Sequence, residues 1–217
     1  MKNYRIVFMG TAEFAVPTLE KLIESEHSVM SIYSSPSKKA NRGMNITHSP
    51  VSRIAKKFNI DLYTPDNLKS NDELNRLKDL SPDLIVVIAY GLILPPEILA
   101  IPEFGCFNLH ASLLPKWRGA APIQRAMING DKKTGISIIK IDQGLDTGDI
   151  VLKKEIDIGD NDTQIDLEIK LSKIGAECFI NLFNKLDKNE LFEKQDNSKS
   201  TYAKKILKSE SKLNWNN

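Results

Sequence analysis

Short apolar segments alternate with longer amphipathic segments along most of this 217-residue chain. Apolar residues are concentrated in six segments that predict β-strands, at 5–10, 28–33, 83–90, 105–110, 135–141 and 149–158. Other segments carry apolar residues at helical spacing and predict helices, at 15–24, 50–57, 70–80, 120–128 and 164–186. This alternation indicates an α/β fold, with a doubly wound, mostly parallel Rossmann-like sheet and helices on both faces.

Polar residues mark the starts of three predicted helices. Ser49 precedes a proline, as an N-cap precedes proline at the first helical position. Ser70 has the spacing of a capping box, and Thr163 is the predicted cap of the longest helix. The polar segment 34–48 predicts a long loop. Residues beyond 187 are lysine-rich with little to bury, so we expect a folded domain at 1–187 and a polar tail at 188–217.

A polar cluster follows the predicted strand at 105–110. Side chains two residues apart in a strand share a face, so Asn108, His110 and Ser112 are predicted to point the same way and Leu109 into the core. Pro115 then ends the strand. Ligands of open α/β sheets bind at the carboxyl ends of buried strands, so the cluster is a candidate site.

A second polar cluster, at 142–149, follows the strand at 135–141 and is predicted to lie at the same edge of the sheet. Gly144 and Gly148 allow a tight loop that turns Asp146 inward, and the acids are too few and too irregularly spaced for an EF-hand. An amide, an imidazole and a carboxylate favour non-covalent acyl transfer, with an oxyanion donor and a base held by its partner.

Two other chemistries fit the residues less well. A Ser-His-Asp hydrolase holds its serine on a glycine-flanked turn, whereas Ser112 lies in Ala-Ser-Leu-Leu, and Cys106 lies deeper in the strand. A dinucleotide-binding protein carries G-x-G-x-x-G after its first strand, whereas only Gly10 is present here. Neither covalent hydrolysis nor a nicotinamide or flavin cofactor is therefore expected.

Composition restricts the partners and the cellular compartment that we expect for the protein. The net charge of +2 is too small to indicate a nucleic-acid partner, although 36–57 contains six basic residues and no acid. Cys106 and Cys178 lie in apolar segments without metal-ligand spacing, as expected in a reducing compartment. The sequence contains neither a bilayer-spanning apolar run nor a signal-peptide pattern, so we expect a cytoplasmic protein that does not bind membranes.

Several segments resemble the N10-formyltetrahydrofolate-dependent formyltransferases. They are Asn-x-His-x-Ser-Leu-Leu-Pro at 108–115, Trp-Arg-Gly-Ala-Ala-Pro-Ile-Gln at 117–124, Gly-Leu-Asp-Thr-Gly-Asp at 144–149, and the run at 86–95. The similarity is collinear from residue 4 to about residue 215. The 117–124 segment is similar to the branch that formylates methionyl-tRNA and separates the chain from the glycinamide ribonucleotide formyltransferases.

The resemblance implies transfer of a formyl group from N10-formyltetrahydrofolate to initiator methionyl-tRNA in bacterial translation, by a monomer without a metal. It implies a catalytic trio of Asn108, His110 and Asp146. It implies folate contacts at Phe14, Val87, Ile88, Ala89, Tyr90, Gly91, Leu92, Ser112, Leu113, Pro115 and Asp142. In the family's insertion at 36–48, it implies tRNA contacts by Lys38, Lys39 and Arg42.

The insertion and the tail depart from the family pattern. Met44 and Asn45 stand where lysines are common. Family members continue into a small β-barrel domain that binds tRNA, so 1–187 is expected to be the catalytic domain and 188–217 to lead toward that barrel. Without the barrel, tRNA binding is expected to be weak.

Three other functions stay open on the sequence. The chemistry also suits an N-formyltransferase that acts on a nucleotide-linked amino sugar. A folate- or nucleotide-binding domain without turnover, and a hydrolase of formylfolate, are the alternatives from other classes. The basic segment 36–57 favours tRNA as the acceptor.

Overall fold

The computed structural model of the chain describes residues 2–40, 45–188 and 190–211. Its strands are β1 (Arg5–Gly10), β2 (Ser28–Tyr33), β3 (Lys38–Ala40), β4 (Asn45–Thr47), β5 (Leu62–Tyr63), β6 (Leu84–Ile88), β7 (Gly105–His110), β8 (Arg118–Gly119), β9 (Lys133–Lys140), β10 (Ile150–Asp157) and β11 (Tyr202–Ala203). Its helices are α1 (Val16–Glu24), α2 (Pro50–Lys57), α3 (Asn71–Leu80), α4 (Pro96–Leu99), α5 (Pro122–Ile128) and α6 (Gln164–Asp187), with 3-10 turns at Glu13–Ala15, Asn197–Lys199 and Lys208–Ser211.

A seven-stranded sheet with the order β10-β9-β7-β6-β1-β2-β5 forms the framework. The five strands from β7 to β5 are parallel to one another, whereas β9 and β10 are antiparallel to their neighbours. The predicted α/β fold with a mostly parallel sheet is therefore confirmed, and its antiparallel part is confined to one edge.

Helices cover both faces of this sheet, as the doubly wound fold requires. Ile6, Phe8 and Leu109 face one core, which includes residues of α1, α2, α5 and α6. Val7 and Cys106 face the other core, which includes residues of α3 and α4. All five residues of β6 are buried, as is typical of a parallel strand that is covered on both faces.

The three predicted N-caps are confirmed. Oγ of Ser49 accepts a hydrogen bond from the backbone N–H of Ser52 at 2.9 Å, and Oγ of Ser70 accepts one from Glu73 at 3.3 Å. Thr163 forms a full capping box with Asp166 at the start of α6. Each cap supplies an acceptor for a backbone N–H that the first helical turn leaves unpaired.

Two segments differ from the sequence-based expectation. The predicted loop at 34–48 contains an antiparallel ribbon of β3 and β4. The segment after 187, expected to bury little, packs back on the domain: β11 pairs in parallel with β8, and Ala203 is buried. The aromatic ring of Phe192 also packs edge-on against Phe107. Among the described helices, none has the length and apolar character needed to cross a bilayer.

Candidate active site

A cleft of about 740 Å³ opens beyond the carboxyl ends of β1, β6 and β7. The chain leaves β1 toward one face of the sheet and leaves β6 toward the other, because α1 and α4 belong to opposite cores. Diverging connections leave a crevice between adjacent strands, which is where open α/β sheets bind ligands. The walls come from the ends of β6, β7 and β9, the loops after β1, β6 and β9, the segment from β8 to the start of α5, and one residue of α6.

Asn108, His110 and Asp146 meet in this cleft. Nδ2 of Asn108 donates to Oδ1 of Asp146 at 3.5 Å, and Nδ1 of His110 lies 3.6 Å from Oδ2 of Asp146. The side chains of His110 and Asp146 are only 6% and 15% exposed, so water screens their interaction weakly. The structure thus brings together the three polar groups that the sequence placed in two separate segments.

Asp146 reaches the cleft through a strained loop. Its φ of +53° lies in the left-handed region, which costs a residue other than glycine about 1–2 kcal/mol. The backbone N–H of Gly119 donates to Oδ2 of Asp146 at 2.8 Å. Nε2 of Gln195 donates to the backbone carbonyl of Asp146, also at 2.8 Å. Contacts from two other parts of the chain therefore hold both the carboxylate and the backbone of this residue.

Asp142 stabilises the loop that carries Asp146 by hydrogen bonds within the loop. Oδ1 of Asp142 accepts hydrogen bonds from the backbone N–H of Gly144 at 3.0 Å and from Oγ1 of Thr147 at 2.6 Å. An aspartate that binds the backbone two residues further on forms an Asx-turn. Asp142 therefore shapes the loop as well as lining the cleft.

One hydrogen bond of His110 defines the roles of its ring nitrogens. Nε2 lies 2.8 Å from the backbone carbonyl of Trp117. A carbonyl oxygen can only accept, so Nε2 must carry a proton and donate it. Nδ1 is then the nitrogen directed at Asp146, and in the neutral ring it is the basic atom. The atom of His110 that can gain or lose a proton thus faces the carboxylate at the cleft.

Neither Ser112 nor Cys106 is placed as a nucleophile. Ser112 is fully buried, and its Oγ donates to the backbone carbonyl of Lys116 at 2.6 Å. Cys106 is also buried, and burial raises the pKa of its thiol to about 12, so the thiol stays protonated at neutral pH. Both positions agree with the expectation of non-covalent chemistry.

Seven of the eleven residues expected to contact folate line the cleft, namely Phe14, Val87, Ala89, Tyr90, Gly91, Leu92 and Asp142. Ile88, Ser112, Leu113 and Pro115 are not among the lining residues. Alternate residues of β6 point to opposite faces of the sheet, so Ile88 faces away from Val87. It packs in the core that contains Ile6 and Phe8. The other three lie beyond the end of β7, where the chain turns away from the cleft.

The cleft also includes residues that the sequence reasoning missed. They are Ala12, Ile93, Leu94, Leu109, Ala111, Gly119, Ala120, Pro122, Ile123, Gln124, Ile139, Ile141 and Glu168. Gln124 lies within the 117–124 motif, so its polar side chain could have been proposed from that segment. Glu168 lies on α6, and no feature of the sequence near it indicates contact with the cleft.

Two of the three residues expected to contact tRNA lie in the ribbon. Lys38 and Lys39 belong to β3, whereas Arg42 lies outside the described residues. Two other cations of the basic segment 36–57 form ion pairs with acids that precede it in the chain. Arg53 pairs with Glu13 at 3.6 Å, and Lys57 pairs with Glu20 at 3.8 Å.

At the root of the ribbon, His48 joins Ser37 to Lys56. Its Nδ1 lies 2.8 Å from Oγ of Ser37, and Nζ of Lys56 donates to its Nε2 at 2.8 Å. Within residues 2–40, 45–188 and 190–211, no group of His, Cys, Asp and Glu side chains is arranged to hold a metal ion.

Comparison with known proteins identifies relatives over most of the chain. The Formyl transferase family model matches residues 4–182. A methionyl-tRNA formyltransferase of Methylococcus capsulatus is 50% identical over 212 residues, which are 97% of this chain and 69% of the relative. A methionyl-tRNA formyltransferase of Coxiella burnetii is 48% identical over 214 residues, covering 98% of this chain and 68% of the relative.

Solved structures share the fold at lower identity. Phosphoribosylglycinamide formyltransferase of Bacillus halodurans superposes with a TM-score of 0.71 at 22% identity and covers 84% of this chain and 94% of its own. An N-formyltransferase of Helicobacter canadensis, solved with folinic acid and dTDP-3-aminofucose, gives a TM-score of 0.68 at 23% identity. That match covers 93% of this chain and 71% of the solved one.

Proposed function

The chain belongs to the formyl transferase family, and we propose that it transfers the formyl group of N10-formyltetrahydrofolate to the α-amino group of initiator methionyl-tRNA. The observation that carries the proposal is the convergence of Asn108, His110 and Asp146 in one cleft. Relatives at about half identity carry the name methionyl-tRNA formyltransferase, which supports the choice of acceptor.

The proposed reaction begins when the neutral methionyl amine attacks the formyl carbon. A bond forms between the amine nitrogen and that carbon, and the carbonyl electrons move to the formyl oxygen. Nδ2 of Asn108 and Nδ1 of the protonated His110 donate hydrogen bonds to this oxyanion. Donors fixed before the reaction stabilise such charge effectively, because they need no reorganisation in the transition state.

Collapse of the tetrahedral intermediate completes the transfer. The bond between the formyl carbon and N10 breaks, and its electron pair goes to N10. The amine loses one proton to the pair formed by His110 and Asp146, and N10 gains one from it, so the pair returns to its starting state. His110 and Asp146 lie in direct contact, so the proton is assigned to the pair and not to one residue.

The cleft offers different surroundings to the two substrates. We assign the pterin to the wall formed by the end of β6 and the loop after it, where Val87, Tyr90, Leu92 and Leu94 supply apolar contact beside backbone polar groups. Asp142 and the loop around it form the adjoining wall. A flat heterocycle with donors and acceptors on its edge suits an apolar slot with a few polar groups.

The acceptor is proposed to enter from the other side. Phe14, Pro122 and Ile123 supply apolar contact there, and Gln124 and Glu168 supply polar groups. We assign the phosphates of the acceptor end to the basic ribbon, with Lys38, Lys39 and Arg42 as contacts. We also propose that the protein acts as a monomer in the cytoplasm.

The test supplies N10-formyltetrahydrofolate together with methionyl-tRNA, with a nucleotide-linked amino sugar, or with no acceptor. Release of tetrahydrofolate and formylation of the acceptor are followed in parallel. The proposal predicts both products with methionyl-tRNA, and loss of both when His110 is replaced by alanine. Formylation of the amino sugar alone would assign the enzyme to the other acceptor. Release without any acceptor would identify a hydrolase, and binding without turnover would identify an inactive binding domain.

A further inference from the structure

The segment 195–203, called the strap below, is hydrogen-bonded to the residues that hold His110 and Asp146. The backbone N–H of Trp117 donates to Oγ1 of Thr201 at 2.9 Å, and β11 pairs with β8. Trp117 supplies the carbonyl that binds His110, and Gly119 supplies the N–H that binds Asp146. The strap therefore contacts both of the residues whose backbone groups bind the catalytic pair.

Gln195 makes the direct link to the loop of Asp146. Its Nε2 donates to the backbone carbonyls of Asp146 at 2.8 Å and Gly148 at 2.7 Å. Its Oε1 accepts from Nε of Arg118 at 3.1 Å and from Nη2 at 2.7 Å. A glutamine amide has two N–H donors and can accept two hydrogen bonds, so these four bonds use its full capacity.

Arg118 fixes which way this amide points. Its side chain is buried, and a guanidinium can only donate hydrogen bonds. The oxygen of Gln195 must therefore face Arg118, and both N–H groups must face the two carbonyls of the loop. Glutamate at this position could still bind Arg118, but it would place a second acceptor against those carbonyls.

We propose that Gln195 is a positioning residue for formyl transfer, because it holds the backbone from Asp146 to Gly148 so that the carboxylate stays beside His110. Asp146 has a left-handed backbone that is unfavourable without such contacts. Displacing a reacting group by about 1 Å can lower a rate by about 100-fold. The inference rests on the proposed function, since turnover is what Gln195 is expected to affect.

Three variants separate this role from simple packing. Q195E keeps an acceptor for Arg118 and loses both donors to the loop, whereas Q195M has similar length and loses every hydrogen bond. N197A is the matched control, because Asn197 accepts from Nη2 of Arg118 at 2.8 Å and, unlike Gln195, is not bonded to the carbonyls of Asp146 and Gly148. Each variant is compared with the wild-type chain for kcat with methionyl-tRNA, for KM and binding of tetrahydrofolate, and for thermal unfolding.

Both glutamine variants are expected to lower kcat by about 10- to 100-fold. Binding of tetrahydrofolate should persist, and N197A should turn over at close to the wild-type rate. Wild-type kcat in Q195E would overturn the inference. The inference would also be overturned if kcat fell only in proportion to the fraction of protein that is folded and binds folate. An equal decrease of kcat in N197A would overturn it as well. An inactive wild type would refute the proposed function instead, and the positioning role with it.

Discussion

Replacing Asp146 by asparagine tests the charge at the centre of the cleft. Nδ1 of His110 and Oδ2 of Asp146 lie 3.6 Å apart, and both side chains are largely shielded from water. With an effective dielectric constant of about 20, two unit charges at this separation attract each other by about 4.6 kcal/mol. If that attraction stabilises the protonated imidazole in the transition state, its loss lowers kcat by about 10³-fold.

The asparagine also creates a hydrogen-bond conflict. Asp146 now accepts from Asn108 through one oxygen and from the backbone N–H of Gly119 through the other. An amide has only one oxygen, so either orientation of the substituted amide sets its NH₂ group against one of these two donors. A buried donor without a partner costs about 1–3 kcal/mol, which adds to the electrostatic loss.

Initial rates of methionyl-tRNA formylation, measured with both substrates saturating, provide the assay. D149N is the matched control, because Asp149 belongs to the same loop and does not line the cleft. Tetrahydrofolate binding and thermal unfolding establish that D146N is folded. A D146N variant that retains more than about a tenth of wild-type kcat would limit the contribution of the charge to about 1.4 kcal/mol. That result would refute the reasoning from the 3.6 Å separation.

Three further changes test the site and its support. N108A should lower kcat by about 10²–10³-fold at saturating substrates, because it removes one oxyanion donor; an unchanged kcat would exclude that role. G148A should destabilise the protein by about 1–3 kcal/mol in thermal unfolding, because a Cβ at this position would lie 1.7 Å from the carbonyl oxygen of Lys140; an unchanged midpoint would contradict this. Burial raises the pKa of the Cys106 thiol to about 12 in the folded protein, from about 9 in the unfolded chain. The folded state therefore loses stability as pH rises from about 9 to 12, at about 1.4 kcal/mol per pH unit. C106A should remove that slope in urea unfolding, and an identical slope in wild type and C106A would assign it to other groups.

Local patterns in the sequence were sufficient for most of the framework. Apolar runs and helix caps are encoded within a few residues, so β6, α2 and α6 were predicted close to their observed bounds. The ribbon of β3 and β4 was missed because its strands are short and polar. The pairing of β11 with β8 was missed because it joins segments more than eighty residues apart, and no local pattern records such contacts.

The candidate site shows where strand-based reasoning holds and where it fails. Asn108 and His110 lie within β7, so the rule that alternate residues share a face applies to them. Ser112 was assigned to the same face, but β7 ends at His110 and the chain turns before Ser112. Gln195 and Glu168 reach the site only through tertiary packing, so a single sequence gives no reason to select them.

The contact between Gly119 and Asp146 affects how mutational scans of this protein should be interpreted. The donor is a peptide N–H, so truncating any side chain leaves the group itself in place. Substitution at Gly119 would not test it either, because φ is +115° and a Cβ would lie 3.0 Å from the carbonyl oxygen of Ala203. A loss of activity after substitution of Gly119 would therefore reflect displacement of β11 by the added side chain. Chemical synthesis can replace the amide of Gly119 by an ester linkage, which has no N–H. The activity of that protein would measure what the hydrogen bond to Asp146 contributes.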